Sequence, residues 1–503
     1  VKRLLPFLFT GLVGLAYPAT LAPYGHGWLV LPLLAILFSQ VFTARPGRAF
    51  VLAYLWALSG FTASFYWTYL SLHDIAGLPA VFAGPLTLLL PAWLALFPAV
   101  ATALAAWLAQ ASGRRSGAWL LGWPALWTIF EWVRGWLITG FPWGSLGYTQ
   151  IPDGPLAGYA PVLGIFGVSW AVASSGAVLG WLLSLLGGGQ TTVRRPWQAA
   201  LSTGLVAVLW AGGASFARVE WTRPVGAPLT VSLAQGAIPQ SMKWDPASFE
   251  LTLQVYAEQV VAARGKLIVL PETAFPLMYD QMPPEYLQAM RKLVESRGAE
   301  LVSGVPDRGD GDRYYNSVVS VTGGQQRYSK DHLVPFGEFV PLPWLTGWLY
   351  RYMNMPLAGF TPGGANQAPM TLAGQRVAFN VCYEDSFGEE LIGPAREATL
   401  LANVSNMAWF GHSNAAWQHL QLAQARALET GRPMIRATNT GLTAVVDHRG
   451  RVVASLPQFQ RGVLESTVQG RTGLTPYMRL GNGPVIVLAL LVLGLFAGRR
   501  RRR

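Results

Sequence analysis

The chain contains a single cysteine, Cys382, which follows the apolar β-rich run RVAFNV (376–381) and precedes Tyr383-Glu384-Asp385. A helix is expected to start near Gly388, so the thiol falls between a strand end and a helix start. That is where α/β sheets place reactive groups, and a helix N-terminus lowers a thiol pKa. A lone cysteine cannot make an internal disulfide, which leaves either a free reactive thiol or a small buried hydrophobe. Glu272 sits in LPETAFP, just past the run KLIVL (266–270), where a carboxylate can become a desolvated base. Lys330 ends a third short strand and opens KDHLVPFGE. Each of these two charges, taken singly, also reads as an ordinary solvated strand-end residue. Together, a carboxylate, an ammonium and a thiol at three strand ends would assemble one site.

Elements able to hold such a site are legible around it. Short β-rich runs recur at 228–234, 266–270, 300–304, 316–321, 376–381, 399–404, 442–447 and 451–455, with helix-period segments at 246–264, 284–297, 388–397 and 415–430. Strands alternating with helices predict an α/β domain over 218–477, with a sheet covered by helices.

The rest of the 503 residues is of another kind. The chain is 52% hydrophobic and only 12% charged, against about 25% charged in soluble domains. Seven apolar stretches, near 4–22, 27–43, 49–70, 81–110, 117–138, 159–186 and 198–216, precede the α/β region, and an eighth, 483–498, follows it. Each approaches the roughly 20 residues that cross a bilayer. Lys2 and Arg3 precede the first, with no cleavage-site pattern after it, so an uncleaved helix is expected. The expected organisation is a seven-helix membrane domain (1–217), the α/β domain (218–477), and an eighth helix with an arginine tail (478–503).

Charge distribution orients this frame. The net charge of +12 lies mainly in the apolar part and in Arg499–Arg503, whereas residues 218–498 hold 23 basic and 22 acidic side chains. A nucleic-acid binder would concentrate charge on its soluble face. Arg45/Arg48, Arg114/Arg115 and Arg194/Arg195 occupy the second, fourth and sixth loops, while the odd loops carry only Asp74 and Asp153. The positive-inside rule then puts both termini in the cytoplasm and 218–477 outside it. In the fifth helix Glu131 and Arg134 lie on one face and can pair, as a structural ion pair or as a functional intramembrane site. Phe141-Pro142-Trp143-Gly144 is expected to end that helix at the outer aromatic belt.

Segments bearing Glu272, Lys330 and Cys382, in that order, resemble the carbon–nitrogen hydrolase (nitrilase) superfamily, and most fully its membrane-embedded branch, the apolipoprotein N-acyltransferase family. The resemblance runs through GFPWGSLGY, AQGAIPQSMKWDP, LPETAFP, SKDHLVPFGEFVP, NVCYEDSF, NMAWFG and the final helix. It implies an αββα sandwich outside the cytoplasmic membrane on an eight-helix frame, in the inner membrane of a two-membrane bacterium. The implied reaction moves an acyl chain from a phospholipid to the N-terminal amine of a diacylated apolipoprotein, without cofactor. In it Cys382 is the nucleophile, Glu272 the proton acceptor and Lys330 the oxyanion stabiliser. Glu338 resembles the superfamily's supporting glutamate. Tyr383, through its peptide N–H, and Glu384, by holding the loop, would support the nucleophile. Met407 departs from the pattern, which has an acidic residue there, and puts a local hydrogen bond in question.

Trp244 matches a family position near the site and reads equally as an ordinary packed tryptophan. Residues 339–360, with Trp344, Trp348, Tyr350, Tyr352, Met353 and Met355 around Arg351, form an aromatic and Met-rich segment. It suits acyl chains at a membrane interface, or alternatively packs in the domain core. Scattered histidines without a cysteine pair disfavour a metal site, and the lack of G-x-S-x-G disfavours a serine hydrolase. Two alternatives stay open: a membrane-anchored amidase or nitrilase using water as acceptor, and a non-catalytic scaffold or transporter.

Overall fold

The computed structural model describes residues 4–186, 196–243, 245–344, 347 and 359–497. Lys2, Arg3, Arg194, Arg195 and Arg499–Arg503, which carry part of the charge pattern, lie outside the described residues. By contacts the chain divides into two compact units: Val1–Tyr66 with Gly84–Glu220 and Arg479–Arg503, and Trp67–Ala83 with Trp221–Met478.

The first unit is helical. Among the described residues, three helices are long and apolar enough to cross a membrane: Ala80–Ser112, Pro155–Leu185 and Trp197–Phe216. Pro46–Ser64 with Trp67–Ile75 makes a fourth if that broken pair counts as one span. Leu5–Thr20, Gly27–Val41 and Gly483–Phe496 are apolar but shorter. At 1.5 Å per residue, a helix of about 15 residues reaches about 22 Å, short of a hydrocarbon core of about 30 Å. Ala80–Ser112 contains Pro85, Pro91 and Pro98, and Thr102 Oγ1 donates to the carbonyl of Pro98, four residues earlier, at 2.7 Å.

Glu131 and Arg134 are both buried on the helix Trp123–Arg134. Trp127 Nε1 and the Leu146 N–H donate to Glu131 Oε1 at 3.0 and 2.9 Å. Arg134 donates to the Trp143 carbonyl at 3.0 Å and to Ser145 Oγ at 2.8 Å, with its guanidinium over the Phe61 ring. The two charges thus tie down the turn over residues 143–146, which favours the structural reading of the pair.

The second unit is an α/β sandwich. One sheet has the strand order Gly462–Val468, Leu229–Gln235, Leu267–Leu270, Glu300–Arg308, Tyr314–Ser320, Arg327–Ser329. The other runs Val452–Ser455, Ala444–Val446, Met434–Thr438, Leu400–Ser405, Gln375–Val381, Met370–Leu372. Strands from Leu229 to Arg308 pair in parallel in the first sheet, as do those containing Val377, Leu400 and Met434 in the second. Alternate residues (Leu229/Val231/Leu233, Val377/Phe379/Val381, Leu400/Ala402/Val404) fill one core shared by both sheets. The opposite parity of the first sheet (Ile268, Leu270, Leu301) packs against Leu253, Tyr256, Val260, Met290 and Val294 of the helices Phe249–Ala262 and Pro284–Ser296. Gly388–Glu397 and Ala415–Thr430 pack on strands of the second sheet. This period-2 burial on two faces is what a sandwich core requires.

Candidate active site

Glu272 issues from the C-terminal end of a parallel strand of the first sheet and Cys382 and Asn406 from those of two parallel strands of the second, while Lys330 follows the antiparallel strand Arg327–Ser329 of the first. Glu272 stands two residues past Leu267–Leu270, and Asn406 follows Leu400–Ser405. Thr273, beside the carboxylate, has φ +50°. The loop can approach because Gly304 offers no side chain: a Cβ there would lie 2.6 Å from Glu272 Cα. Cys382 follows Gln375–Val381 directly, with φ +53°. A left-handed non-glycine backbone costs about 1–3 kcal/mol and persists only where its surroundings enforce it. Here the Cys382 carbonyl accepts from Asn403 Nδ2 at 3.1 Å and lies 3.0 Å from His419 Nε2.

Glu272, Lys330 and Cys382 are brought together. Asn316 Nδ2 donates to Glu272 Oε1 at 2.7 Å and to Glu338 Oε1 at 2.9 Å. Glu338 Oε2 pairs with Lys330 Nζ at 2.7 Å, and the Asn406 N–H donates to Glu272 Oε2 at 2.7 Å. All these side chains are buried, whereas Cys382 is half-buried.

Electrostatics separates their states. Burial pushes the Cys382 thiol up to about 12, helped by the charge of Glu272 and opposed by Lys330. This reverses the lowering expected of a helix N-terminus. The turn Cys382–Ser386 intervenes, so the helix Gly388–Glu397 starts six residues beyond the thiol. Burial works against the Lys330 ammonium, but Glu338, Cys382, Glu272 and Glu384 outweigh it and hold its pKa above the ordinary lysine value.

Glu384 is a hub. Its Oε1 accepts from the N–H groups of Asp331 (2.7 Å) and His332 (3.1 Å), and its Oε2 from Tyr328 Oη (2.8 Å) and the Val381 N–H (2.6 Å). It thereby fastens the Lys330 loop to the Cys382 strand. Burial raises its carboxyl to about 7. The buried Tyr383 ring packs edge-on against Phe387 and His332.

Behind the thiol lies a second buried network. Asp385 contacts Arg436 Nη1 and His419 Nε2, both at 2.7 Å, and Arg436 Nη2 also meets His419 Nδ1. Met407, which departs from the expected acidic residue, puts its Sδ 3.0 Å from His419 Nδ1. Asn406 Oδ1 accepts from the Ala408 N–H, so the turn Met407–Phe410 keeps a cap. Residues 67–83 belong to the same unit: Trp67 Nε1 donates to Gln418 Oε1 at 3.1 Å, and Ser71 Oγ to the Trp409 carbonyl at 2.7 Å.

Among the lipid-segment residues, Trp344 is 81% exposed, which does not agree with core packing at that position. Trp244, Trp348, Tyr350, Arg351, Tyr352, Met353 and Met355 lie outside the described residues. Sequence reasoning missed Lys243, whose Nζ is buried and donates to the Glu272 carbonyl at 3.0 Å. It also missed Asn316, Asn406 and His419. A neutral amide within a strand or turn carries no signal of its own, and Lys243 was passed over as a neighbour of Trp244.

Residues 230–477 match the carbon-nitrogen hydrolase family, and residues 13–178 match the apolipoprotein N-acyltransferase N-terminal domain. Over 508 aligned positions the chain is 51% identical to the apolipoprotein N-acyltransferase of Chromobacterium violaceum, covering all of this chain and 96% of that one. The protein of that name from Nitrosomonas europaea is 45% identical over 94% of this chain and 93% of its own. That from Neisseria meningitidis serogroup A is 43% identical over 96% and 95%. Among solved structures, a carbon-nitrogen hydrolase from Helicobacter pylori aligns over 54% of this chain and 95% of its own, with 17% identity and a TM-score of 0.35.

Proposed function

The chain belongs to the apolipoprotein N-acyltransferase family, and from that premise we propose a ping-pong acyl transfer carried by Cys382, Glu272 and Lys330. In the first half-reaction Cys382 Sγ attacks the ester carbonyl of a glycerophospholipid. Glu272 takes the thiol proton and passes it to the departing glycerol oxygen, leaving a thioester and a lysophospholipid. In the second half-reaction the N-terminal amine of a diacylglyceryl-modified apolipoprotein attacks the thioester. Glu272 accepts an amine proton and returns it to sulfur, releasing the N-acylated lipoprotein and the free thiol.

A thiol at about 12 holds almost no thiolate near neutrality, so its proton must leave as the carbon–sulfur bond forms. Lys330, kept charged by Glu338 at 2.7 Å, stabilises the oxyanion of each tetrahedral intermediate, with the Tyr383 N–H as a second donor. Loss of one such donor costs about 3–4 kcal/mol of barrier, or 10²–10³ in rate. Glu338 and Glu384 are supporting residues. Trp344, with Leu342 also exposed, suits a lipid-facing segment, and Trp244, Trp348 and Tyr350 are assigned with it to substrate binding. The observation that carries this reading is the hydrogen-bonded chain Glu272–Asn316–Glu338–Lys330, whose end charges both act on the Cys382 thiol.

The same reading extends to the membrane frame: eight spans, 218–477 as an extracytoplasmic catalytic domain, and both termini in the cytoplasm of a bacterium with an inner membrane. It is supported by the loop arginines and by the apolar helices.

Intact-mass spectrometry of the purified protein with phospholipid alone tests the chemistry. An acyl-sized adduct on the wild type, absent from Cys382→Ala and discharged by a diacylated lipopeptide, is expected. An adduct or turnover retained in Cys382→Ala would sink the assignment, and discharge by water at the same rate would make the protein a hydrolase.

A further inference from the structure

The peptide unit between Cys382 and Tyr383 is trans, so its carbonyl and its N–H point to opposite sides of one rigid plane. The N–H is the second oxyanion donor of the reading above, and the carbonyl is a handle by which that donor can be aimed. Two fully buried side chains hold the handle. Asn403 Nδ2 donates to the Cys382 carbonyl at 3.1 Å from the neighbouring parallel strand. His419 Nε2 lies 3.0 Å from the same oxygen, on the helix Ala415–Thr430.

The surroundings of His419 decide which of its nitrogens carries the proton. Arg436 Nη2 meets Nδ1, and a guanidinium can only donate, so Nδ1 offers its lone pair and Nε2 the N–H. Met407 Sδ, 3.0 Å from Nδ1, is too weak an acceptor to reverse this. Asp385 Oδ1 lies 2.7 Å from Nε2 but out of line for a hydrogen bond, whereas the Cys382 carbonyl is aligned. Asn403 is fixed in turn, because its Nδ2 also donates to Asn380 Oδ1 at 2.5 Å. The grip matters at this residue: Cys382 has φ +53°, and a backbone relaxing from that strained region would rotate the peptide and swing the Tyr383 N–H with it. A histidine that only filled the core would leave the direction of this peptide untouched.

We propose that His419 is a positioning residue for the oxyanion hole: with Asn403 it grips the Cys382 carbonyl and so aims the Tyr383 N–H at the oxygen that gains charge in each tetrahedral intermediate. The inference rests on the reading of Cys382 as the nucleophile of an acyl transfer. It separates two reactions of one thiol. Attack on an ester builds negative charge on the carbonyl oxygen and needs the aimed donor. With iodoacetamide the sulfur–carbon bond forms as iodide leaves with its electron pair and the thiol proton goes to base, and no oxyanion arises.

Both reactions are followed by intact mass on the full-length protein in detergent, at one pH. Single-turnover acylation is measured over a range of phospholipid mole fractions, and alkylation with iodoacetamide. Cys382 is the one cysteine of the chain, so both adducts report the same sulfur. With Asn403 still in place, His419→Leu should lower the limiting acylation rate by about tenfold, less than the loss of a whole donor. Its half-saturating lipid fraction and its alkylation rate should stay as in the wild type. His419→Gln, whose amide nitrogen takes the place of the ring Nε2, should recover most of the lost rate. Wild-type acylation in His419→Leu would overturn the proposal. So would a parallel fall of acylation and alkylation, which would mean that the thiol itself is displaced, or a His419→Gln no faster than His419→Leu. Should His419→Leu fail to run as the wild type on gel filtration, His419→Asn, too short to reach the carbonyl, takes its place. The underlying reading fails in a different way: an acyl adduct on Cys382→Ala refutes the nucleophile whatever the His419 variants do.

Discussion

Cys382 and Glu384 lie two residues apart at one strand end, and burial raises both pKa values, with different consequences. For the thiol the consequence is kinetic: at about 12 it needs a base within reach. For Glu384 it is thermodynamic. Its folded-state value near 7 lies above an unfolded glutamate at about 4.3, so ionisation disfavours the folded state. Its contribution to stability is then fully present below about pH 4.3 and is lost as the pH rises through about 7. Between pH 5 and 8 the wild type should lose about 2–3 kcal/mol more stability than Glu384→Gln, which does not titrate. Thermal unfolding of both proteins at the two pH values in one detergent checks this, and parallel losses would show that Glu384 is not the titrating group. At this scale Glu272, Lys330 and Cys382 could be singled out by residue type and strand-end position, and Glu338 and Glu384 only through the family resemblance. Asn316 and Asn406 were not, because a neutral amide becomes informative only when its two partners are seen.

Most strands and all four helix-period segments of the α/β unit follow from apolar runs and spacing. Met434–Thr438 does not, although it pairs with both neighbours in the second sheet. Its run MIRAT carries an arginine at the centre, which breaks the apolar pattern of a buried strand. The structure resolves this by pairing Arg436 with Asp385 at 2.7 Å, both fully buried. Gly462–Val468 escaped for a similar reason, since GVLESTV places Glu465, Ser466 and Thr467 in succession and Glu465 accepts from Ser232 Oγ at 2.8 Å. A buried pair is strongly destabilising to break from one side, by about 3–5 kcal/mol, whereas replacement of both charges is often far milder. Arg436→Met should therefore lower the unfolding temperature of the protein markedly, and Asp385→Asn combined with Arg436→Met should recover part of the loss. A double variant as unstable as the single would mean that Arg436 stabilises by packing its stem and not by pairing.

At the scale of the whole molecule the open quantity is the parity of membrane crossings before residue 218. Seven crossings put the α/β unit on the side opposite the N-terminus, and four put it on the same side. Hydropathy and loop arginines give seven, but three described helices qualify as spans by length, or four with the broken pair. The short apolar helices can count only if the irregular turns beside them carry the chain the remaining distance. Turns at that depth are tolerated when protein covers their backbone, and the turn over residues 143–146 has its backbone bonded by Glu131 and Arg134. In a Cys382→Ser background, single cysteines at the exposed positions Arg48, Arg115 and Glu250 report the answer through a membrane-impermeant maleimide on intact spheroplasts. Glu250→Cys should label at once, and Arg48→Cys and Arg115→Cys only after permeabilisation. Labelling of all three together would place the loop arginines on the catalytic side. The phospholipid acyl donor and the apolipoprotein acceptor would then have to reach Cys382 from the face that carries the basic loops, and the topology argued from charge would fail.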